Sequence, residues 1–329
     1  MSTGFWKKLP KPFFVLAPMA DVTDAAFRRI IAARGKPDVM WTEFVAVDGL
    51  LSPGRDVLLK DFMYTEAERP IVAQIFGSKP DNFFKVAQMI AGLGFDGIDI
   101  NMGCPDRNVE KQGGGASLIK HPSLAKEIIA ATKEGAPALP VSVKTRVGYN
   151  TVELDTWLPA LLESKLSAVT IHARTRKEMS DVPARWSHVA DAVALRNSLA
   201  PETLIIGNGD VIDLADAKQK AHDTGADGVM LGRAIFGNPW LFSPPPTMSR
   251  PGLDMDVRVE EKLRVMVEHT KLFMELLGEV KNFAIMKKHY KAYVNGFDGA
   301  KELRIKLMET NNVEEVSQIV AEYLKREKN

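Results

Sequence analysis

Residues 13–24 read FFVLAPMADVTD. An apolar run of strand length leads into Ala-Pro-Met-Ala and then a polar turn. A doubly wound sheet built to hold a dinucleotide carries a glycine fingerprint in the turn after its first strand, where the backbone must approach a pyrophosphate. No glycine stands there. If the strands that follow are parallel, they are read as closing on themselves rather than as an open sheet. Seven further β-branched or apolar runs do follow: VMWTEFVAV (39–47), PIVAQIFG (70–77), GIDINMG (97–103), LPVSVKTRVG (139–148), AVTIHAR (168–174), TLIIGNGD (203–210) and GVMLGRAIFG (228–237). Successive runs start roughly 30 residues apart, the length of a strand–helix unit. Between them DNFFKVAQMIAGLG (81–94), SLAKEIIAATKEG (123–135) and DLADAKQKAHDTG (213–225) carry apolar residues at helical spacing and close on glycine. The fold class predicted is α/β: a (β/α)8 TIM barrel over residues 1–242.

The pattern changes at SPPPTMSRPG (243–252). Consecutive prolines and a closing glycine predict a stiff linker, over 243–255. Beyond it VEEKLRVMVEHTKLFMELLG (259–278), VKNFAIMKKHYKAYVNGF (280–297) and NVEEVSQIVAEYLKR (312–326) are helix-patterned without strand signal. A small all-helical C-terminal domain is therefore predicted over 256–329.

The 329 residues are 45% hydrophobic and 26% charged, with formal net charge +1. A near-neutral chain gives no global polyanion signal, so any nucleic-acid surface must be a local patch. The chain has one cysteine, which excludes an internal disulfide and fits a reducing, cytoplasmic setting. The opening MSTGFWKKLPKPFF lacks the apolar segment of a signal peptide, and no apolar run reaches membrane-spanning length, so no membrane partner is expected.

A TIM barrel builds its active site at the carboxyl ends of its strands. Those ends carry Pro18, Met19 and Ala20 (first strand), Gln74 (third), Asn101 and Cys104 (fourth), and Lys144 and Arg146 (fifth). They also carry His172, Arg174 and Arg176 (sixth), Asn208, Gly209 and Asp210 (seventh), and Gly232 and Arg233 (eighth). Gln74 could simply satisfy a barrel-interior hydrogen bond, and His172 alone reads as a core histidine. A strand lysine such as Lys144 needs an anionic ligand or a carboxylate, because burying an unpaired ammonium is costly. Cys104 alone would be a small buried hydrophobe, but Gly103 and Pro105 place it in a turn facing a site. IGNGD and LGRAIFG, on neighbouring strands, read as a phosphate cradle, with Asp210 orienting backbone or capping the next helix. GGGA (113–116) reads as a tight return of the chain. No convincing His/Glu ligand cluster stands at the strand ends, so a metal-dependent aldolase-like barrel is disfavoured and no metal is expected.

APMADVTD, QIFGSKPDNF, DINMGCPDRNVEKQGGGASLIKHP, VKTRVG, TIHARTR, IGNGDV and MLGRAIFGNPWLF occur in this order. Together they resemble the tRNA-dihydrouridine synthase family over the whole barrel, and the helical tail resembles that family's C-terminal RNA-binding domain. The resemblance implies an FMN enzyme that reduces the C5–C6 bond of particular uridines in tRNA, with NADPH as reductant. It places Pro18, Met19 and Ala20 along the isoalloxazine, and Gln74 and Lys144 at its polar edge. His172 falls on the ribityl phosphate side, with Asn208, Gly209, Asp210, Gly232 and Arg233 at the phosphate. Asn101 would contact the target uracil, Arg174 and Arg176 the RNA near it, and Cys104 would donate the proton. Ala173 stands where the family has glycine, and RKEMSDVPARW (176–186) departs from the family's tyrosine- and glycine-bearing loop.

Between Lys281 and Lys306 lie Lys287, Lys288, His289, Lys291, Lys301 and Arg304, with Tyr290 and Tyr293 interleaved. This reads as a local RNA-binding patch, with Lys287, Lys288 and Lys291 as contacts; the plain alternative is a solvated helix face. A rival reading is an FMN barrel acting on a small pyrimidine-like molecule, as dihydroorotate dehydrogenases do, which would not need the basic tail. Another is a non-catalytic RNA-binding barrel, which would not need Cys104, Lys144 and Gln74. A monomer is expected, since a tRNA must reach both domains.

Overall fold

The computed structural model describes residues 4–243 and 255–326. Eight parallel strands form the sheet: β1 (Phe13–Leu16), β2 (Met40–Ala46), β3 (Ile71–Phe76), β4 (Gly97–Met102), β5 (Val141–Arg146), β6 (Ala168–His172), β7 (Leu204–Asn208) and β8 (Gly228–Leu231). From β2 to β8 each strand pairs with the next in sequence, β1 pairs with β8, and an isolated bridge from Val15 to Val39, just before β2, closes the ring. The sheet is a closed barrel, and all eight predicted strands are present.

Side chains alternate across a strand, so every second residue points into the barrel. The lower interior is apolar: Phe13, Val15, Trp41, Val72, Ala168 and Ile206 form one cluster. Trp6, from the N-terminal turn Gly4–Lys8, closes the bottom against Trp41 at a centroid distance of 6.0 Å. Higher on the same inward faces come Gln74, Asp99, Asn101, Ser142, Lys144, His172 and Asn208. The barrel thus changes from apolar to polar along its axis, and the polar end is the carboxyl end, where a site forms.

The outward residues pack under the helices in a second, larger cluster that continues into the C-terminal helices. These are Met255–Leu277, Met286–Tyr293, Ala300–Glu309 and Val313–Arg326. The region 280–297, read as one helix, is a short 3-10 turn (Phe283–Ile285) followed by Met286–Tyr293. Ala300–Glu309 is a helix that the sequence reading did not set out, although Ala300, Leu303 and Leu307 give it a buried face. The expected linker over 243–255 lies, apart from its two end residues, outside the described residues.

The helical region is fastened to the barrel by polar and apolar contacts. Lys281, which the sequence places at the edge of the basic stretch, is committed to the barrel: its Nζ lies 2.6 Å from Glu43 and 2.9 Å from Asp61. Burial lifts the Glu43 carboxyl to about 7 despite Lys281. Arg34, at the end of the helix Ala25–Arg34, pairs with Glu268. The aromatic residues of the supposed RNA patch face inward: His289, Tyr290 and Tyr293 are fully buried. His289 packs 4.6 Å from His269 and 4.9 Å from Phe27, a barrel residue. The interleaved aromatics are therefore seam packing, and the exposed cations alone remain for a partner. Their helical spacing, with hydrophobes at 286, 290, 293 and 294, carried that signal.

Both histidines sit neutral in this seam. Burial, then the charge of Lys288, pulls His289 down to about 3; burial, then His289, pulls His269 well below its ordinary value. In the unfolded chain each takes up a proton below about pH 6.5, whereas in the folded chain it does not. Stability is therefore lost as pH falls below that value, by up to about 1.4 kcal/mol per pH unit for each histidine. The melting temperature should drop steeply between pH 6.5 and 5, and His289→Phe should reduce the slope. An unchanged slope in that variant would show that other groups govern acid unfolding.

Candidate active site

A cleft of about 340 Å³ opens at the carboxyl end of the barrel. Pro18 and Met19 form one wall, Lys144, His172 and Arg174 the floor, and Asn208, Gly209, Asp210, Gly232 and Arg233 the far end. Arg146, Met179, Ser180 and Pro105 also line it, with apolar Ala17, Val211 and Met230. The structure therefore gathers most of the expected cofactor residues. Ala20, Gln74, Asn101 and Cys104 do not line the cleft: Cys104 adjoins it through Pro105, and Gln74 and Asn101 lie beneath. Arg176 sits beside it, and Lys287, Lys288 and Lys291 stand on the separate helix Met286–Tyr293.

The cleft is cationic, and its cations differ in state. Burial, then the charges of Lys144, Arg146, Arg174 and Arg233, holds His172 well below its ordinary value, so its ring is neutral. Arg174 Nη1 lies 3.2 Å from His172 Nε2, and a guanidinium can only donate. His172 Nε2 is thus the acceptor, and its proton is on Nδ1. Burial, then repulsion from Arg146, lowers Lys144 to about 8, against the pull of Asp99 and Cys104. Lys144 is half-buried and forms no salt bridge among the described residues. Arg174, expected at the RNA, is instead buried at the cleft floor and bound to Asp210 and to the Val182 carbonyl.

Asp210 does not cap the next helix; Asp213 does, accepting from the N–H of Asp216. Burial pushes the Asp210 carboxyl up, but bonds from Arg174 and the Ala184 N–H, with the charges of Arg174 and Arg233, more than reverse this. It stays ionised and orients both arginines. Gly209 has φ +124°, and a Cβ there would lie 2.8 Å from Ala184, so the position requires glycine. The residues fit a phosphorylated flavin: an apolar wall, a glycine-edged end flanked by arginines, and an ammonium with no protein anion paired to it.

The loop 176–186 that departs from the family pattern packs on this end of the barrel. Trp186 Nε1 donates to the Gly209 carbonyl at 2.8 Å. A Cβ on Gly207 would meet the Trp186 ring at 2.3 Å. Met179, in the left-handed region at φ +49°, turns the loop over the cleft.

Cys104 is half-exposed. Burial raises its thiol above the ordinary value; the Asp106 N–H, Lys144 and Arg146 oppose the rise, and the Asp106 charge adds to it. The thiol is therefore protonated at neutral pH. Its turn is held from several sides. Asn101 Oδ1 accepts the N–H of Gly103 at 3.1 Å and of Cys104 at 2.9 Å. The Cys104 carbonyl accepts from Ala116 N at 2.9 Å. That return needs Gly115, at φ +60°, where a Cβ would stand 2.6 Å from the Cys104 carbonyl. GGGA is thus the close return expected of it, leading into the 3-10 turn Gly115–Lys120.

Arg146 was given no role by the sequence. Its Nε donates to the Gly103 carbonyl at 2.8 Å and its Nη1 to the Thr175 carbonyl at 3.0 Å, tying the cysteine turn to the loop after β6. Arg176 forms a forked pair with Glu110 on the short helix after the turn. An arginine on a strand end signals an anion site; only the fold shows that these bind backbone and carboxylate.

A closed parallel barrel with a protonated thiol beside a cationic, glycine-edged cleft defines a barrel enzyme with a site for a phosphorylated ligand. A family model described as dihydrouridine synthase matches residues 15–329. A probable tRNA-dihydrouridine synthase 2 of Bacillus subtilis is 42% identical over 326 residues, covering 98% of this chain and 97% of that protein. A probable tRNA-dihydrouridine synthase of Staphylococcus aureus is 41% identical, covering 98% and 96%. The chain belongs to the dihydrouridine synthase family. Among solved structures, histamine dehydrogenase from Rhizobium aligns with TM-score 0.51 at 13% identity, over 79% of this chain and 48% of that one, a likeness of fold alone.

Proposed function

We infer that this protein is an FMN-dependent tRNA-dihydrouridine synthase, using NADPH as reductant. The observation that carries the mechanism is a protonated Cys104, held at the mouth of a cleft whose cations and glycines suit a phosphorylated flavin. FMN, when bound and reduced, supplies hydride.

The protein's own residues do the rest. Addition of hydride at C6 of uracil places negative charge at C5, conjugated with O4. Cys104 Sγ gives its proton to C5, forming the C–H bond as the S–H bond breaks. The thiolate left behind is stabilised by the charges of Lys144 and Arg146, the same groups that oppose the rise of its pKa. Pro18 and Met19 would supply an apolar wall for the ring system, with Ala20 just outside the cleft. Lys144 would oppose negative charge developing on the ring system, with Gln74 beneath it. His172, Asn208, Gly209, Asp210, Gly232 and Arg233 form the phosphate end. Asn101 acts on the uracil side by holding Cys104 in place, Arg174 steadies Asp210 at the phosphate end, and Arg176 braces the helix after the cysteine turn through Glu110.

The uridine must leave its stack to reach the cleft, at a cost of a few kcal/mol, so contacts elsewhere on the RNA must offset it. Lys288 and Lys291 are exposed and Lys287 is half-buried, with exposed Lys301 on the next helix. These cations suit phosphate contacts. Lys288→Glu with Lys291→Glu should raise the KM for tRNA by about tenfold with little change in kcat, and should flatten the salt dependence of binding. A fall in kcat alone would place the RNA elsewhere. A monomer in the cytoplasm fits this reading; no described helix is long and apolar enough to cross a membrane.

The test is incubation with NADPH and unmodified tRNA, followed by nuclease digestion and mass spectrometry. Uridine two mass units heavier is the expected product. Flavin-loaded protein that oxidises NADPH and leaves cognate tRNA unchanged would overturn the substrate assignment.

A further inference from the structure

Beneath the cleft runs a chain of side-chain hydrogen bonds with a single direction. Asp99 is fully buried inside the barrel on β4. Its Oδ1 accepts from Ser142 Oγ at 2.5 Å and its Oδ2 from Gln74 Nε2 at 2.6 Å. Gln74 Oε1 then accepts from Asn101 Nδ2 at 3.1 Å. Asn101 Oδ1 in turn accepts the two backbone N–H groups of the Gly103–Cys104 turn. Strand register makes the chain possible: Gln74 lies opposite Asp99, and Asp99 opposite Ser142.

A carboxamide can point either way, because its two ends are equal in size and opposite in hydrogen-bonding sense. An ionised carboxylate cannot, since it only accepts. Burial raises the Asp99 carboxyl, but only to about 6, and Ser142, Gln74 and Lys144 oppose that rise. It is ionised at neutral pH. It therefore requires the amino end of Gln74 to face it. The carbonyl end of Gln74 then faces Asn101 and requires that residue's amino end. The carbonyl end of Asn101 is left for the turn. Reversing either amide would set donor against donor or acceptor against acceptor in a dry interior, where an unmade hydrogen bond is costly.

We propose that Asp99 is a positioning residue for the reaction: its negative charge fixes the direction of the Gln74 and Asn101 amides and so locks the turn that carries Cys104. This deepens the reading of Cys104 as proton donor. Its test reads the thiol directly, so either idea can fail alone.

Cys104 is the only cysteine, so alkylation by iodoacetamide, followed by intact mass, reports one turn. In Asp99→Asn, the new amide can accept or donate toward Gln74, and the directional constraint is gone. Its Cys104 should react about fivefold faster or more than in the wild type, because the turn opens more often. In Asp99→Asn with Gln74→Glu, the carboxylate at 74 accepts from both amides and restores the direction of Asn101. The rate should return to within about twofold of the wild type. Simple loss of packing would instead be worsened by a second change at the same spot. Each protein is measured with and without added FMN, which separates shielding by the flavin from opening of the turn. A wild-type rate in Asp99→Asn, or a double variant as fast as Asp99→Asn, overturns the proposal. If Asp99→Asn does not fold, Gln74→Met cuts the same chain in its middle and should show the same acceleration; a wild-type rate there also overturns it.

Discussion

Cys104→Ala should form dihydrouridine about 10²–10⁴-fold more slowly than the wild type, the usual contribution of a positioned general acid. The loss should appear under single turnover, with flavin content and tRNA affinity retained. Cys104 is the one protonated thiol beside the cleft, and its backbone N–H and carbonyl are held by Asn101 Oδ1 and the Ala116 N–H, bonds that alanine keeps. The chemical step alone should suffer. Quantifying dihydrouridine in digested tRNA decides it, and a rate within about threefold of the wild type would transfer the acid role to another group.

Lys144→Met should cost about 10²–10³-fold in turnover, comparable to removing one charge-stabilising donor from an active site. It should also change how FMN binding depends on pH. In the free protein the Lys144 ammonium, lowered to about 8 mainly by burial, loses its proton as pH rises through that value. An anionic ligand that favours the charged form therefore binds progressively less tightly above about pH 8, by up to tenfold per pH unit. In Lys144→Met, affinity should be lower at pH 7 and show no bend near 8. Titrating flavin-free protein with FMN and following its fluorescence gives both curves. A wild-type bend that survives in the variant would assign it to another group.

The barrel and its polar end were legible because strand periodicity and the carboxyl-end rule act locally. Each of the eight apolar runs is a strand, and the polar residues sit where those runs stop. Glycines 103 and 115 and Pro105 marked the cysteine turn, since only a few residue types accept those backbone shapes. What was misread depends on partners distant in sequence. Tyr290, Tyr293 and His289 were read as part of a basic RNA-binding patch, yet they are buried at the seam with the barrel. Lys281 looked like part of the basic patch, yet Glu43 and Asp61, more than 200 residues earlier in the chain, claim its charge. Arg174 was read as facing RNA and is bound to Asp210 within the cleft.

The sequence by itself determined the class of fold, the place of the site along each strand and the family, because residue types and their spacing are properties of the chain. Tertiary structure alone decided which charges are free. Lys144 keeps its charge for a ligand, whereas Lys281 and Arg176 are neutralised by carboxylates and Arg146 is spent on backbone carbonyls. It also decided the direction of the Asp99–Gln74–Asn101 chain. Charge pairing and amide direction depend on distances of about 3 Å between atoms that only the closed barrel brings together, and strand pattern carries no information about them.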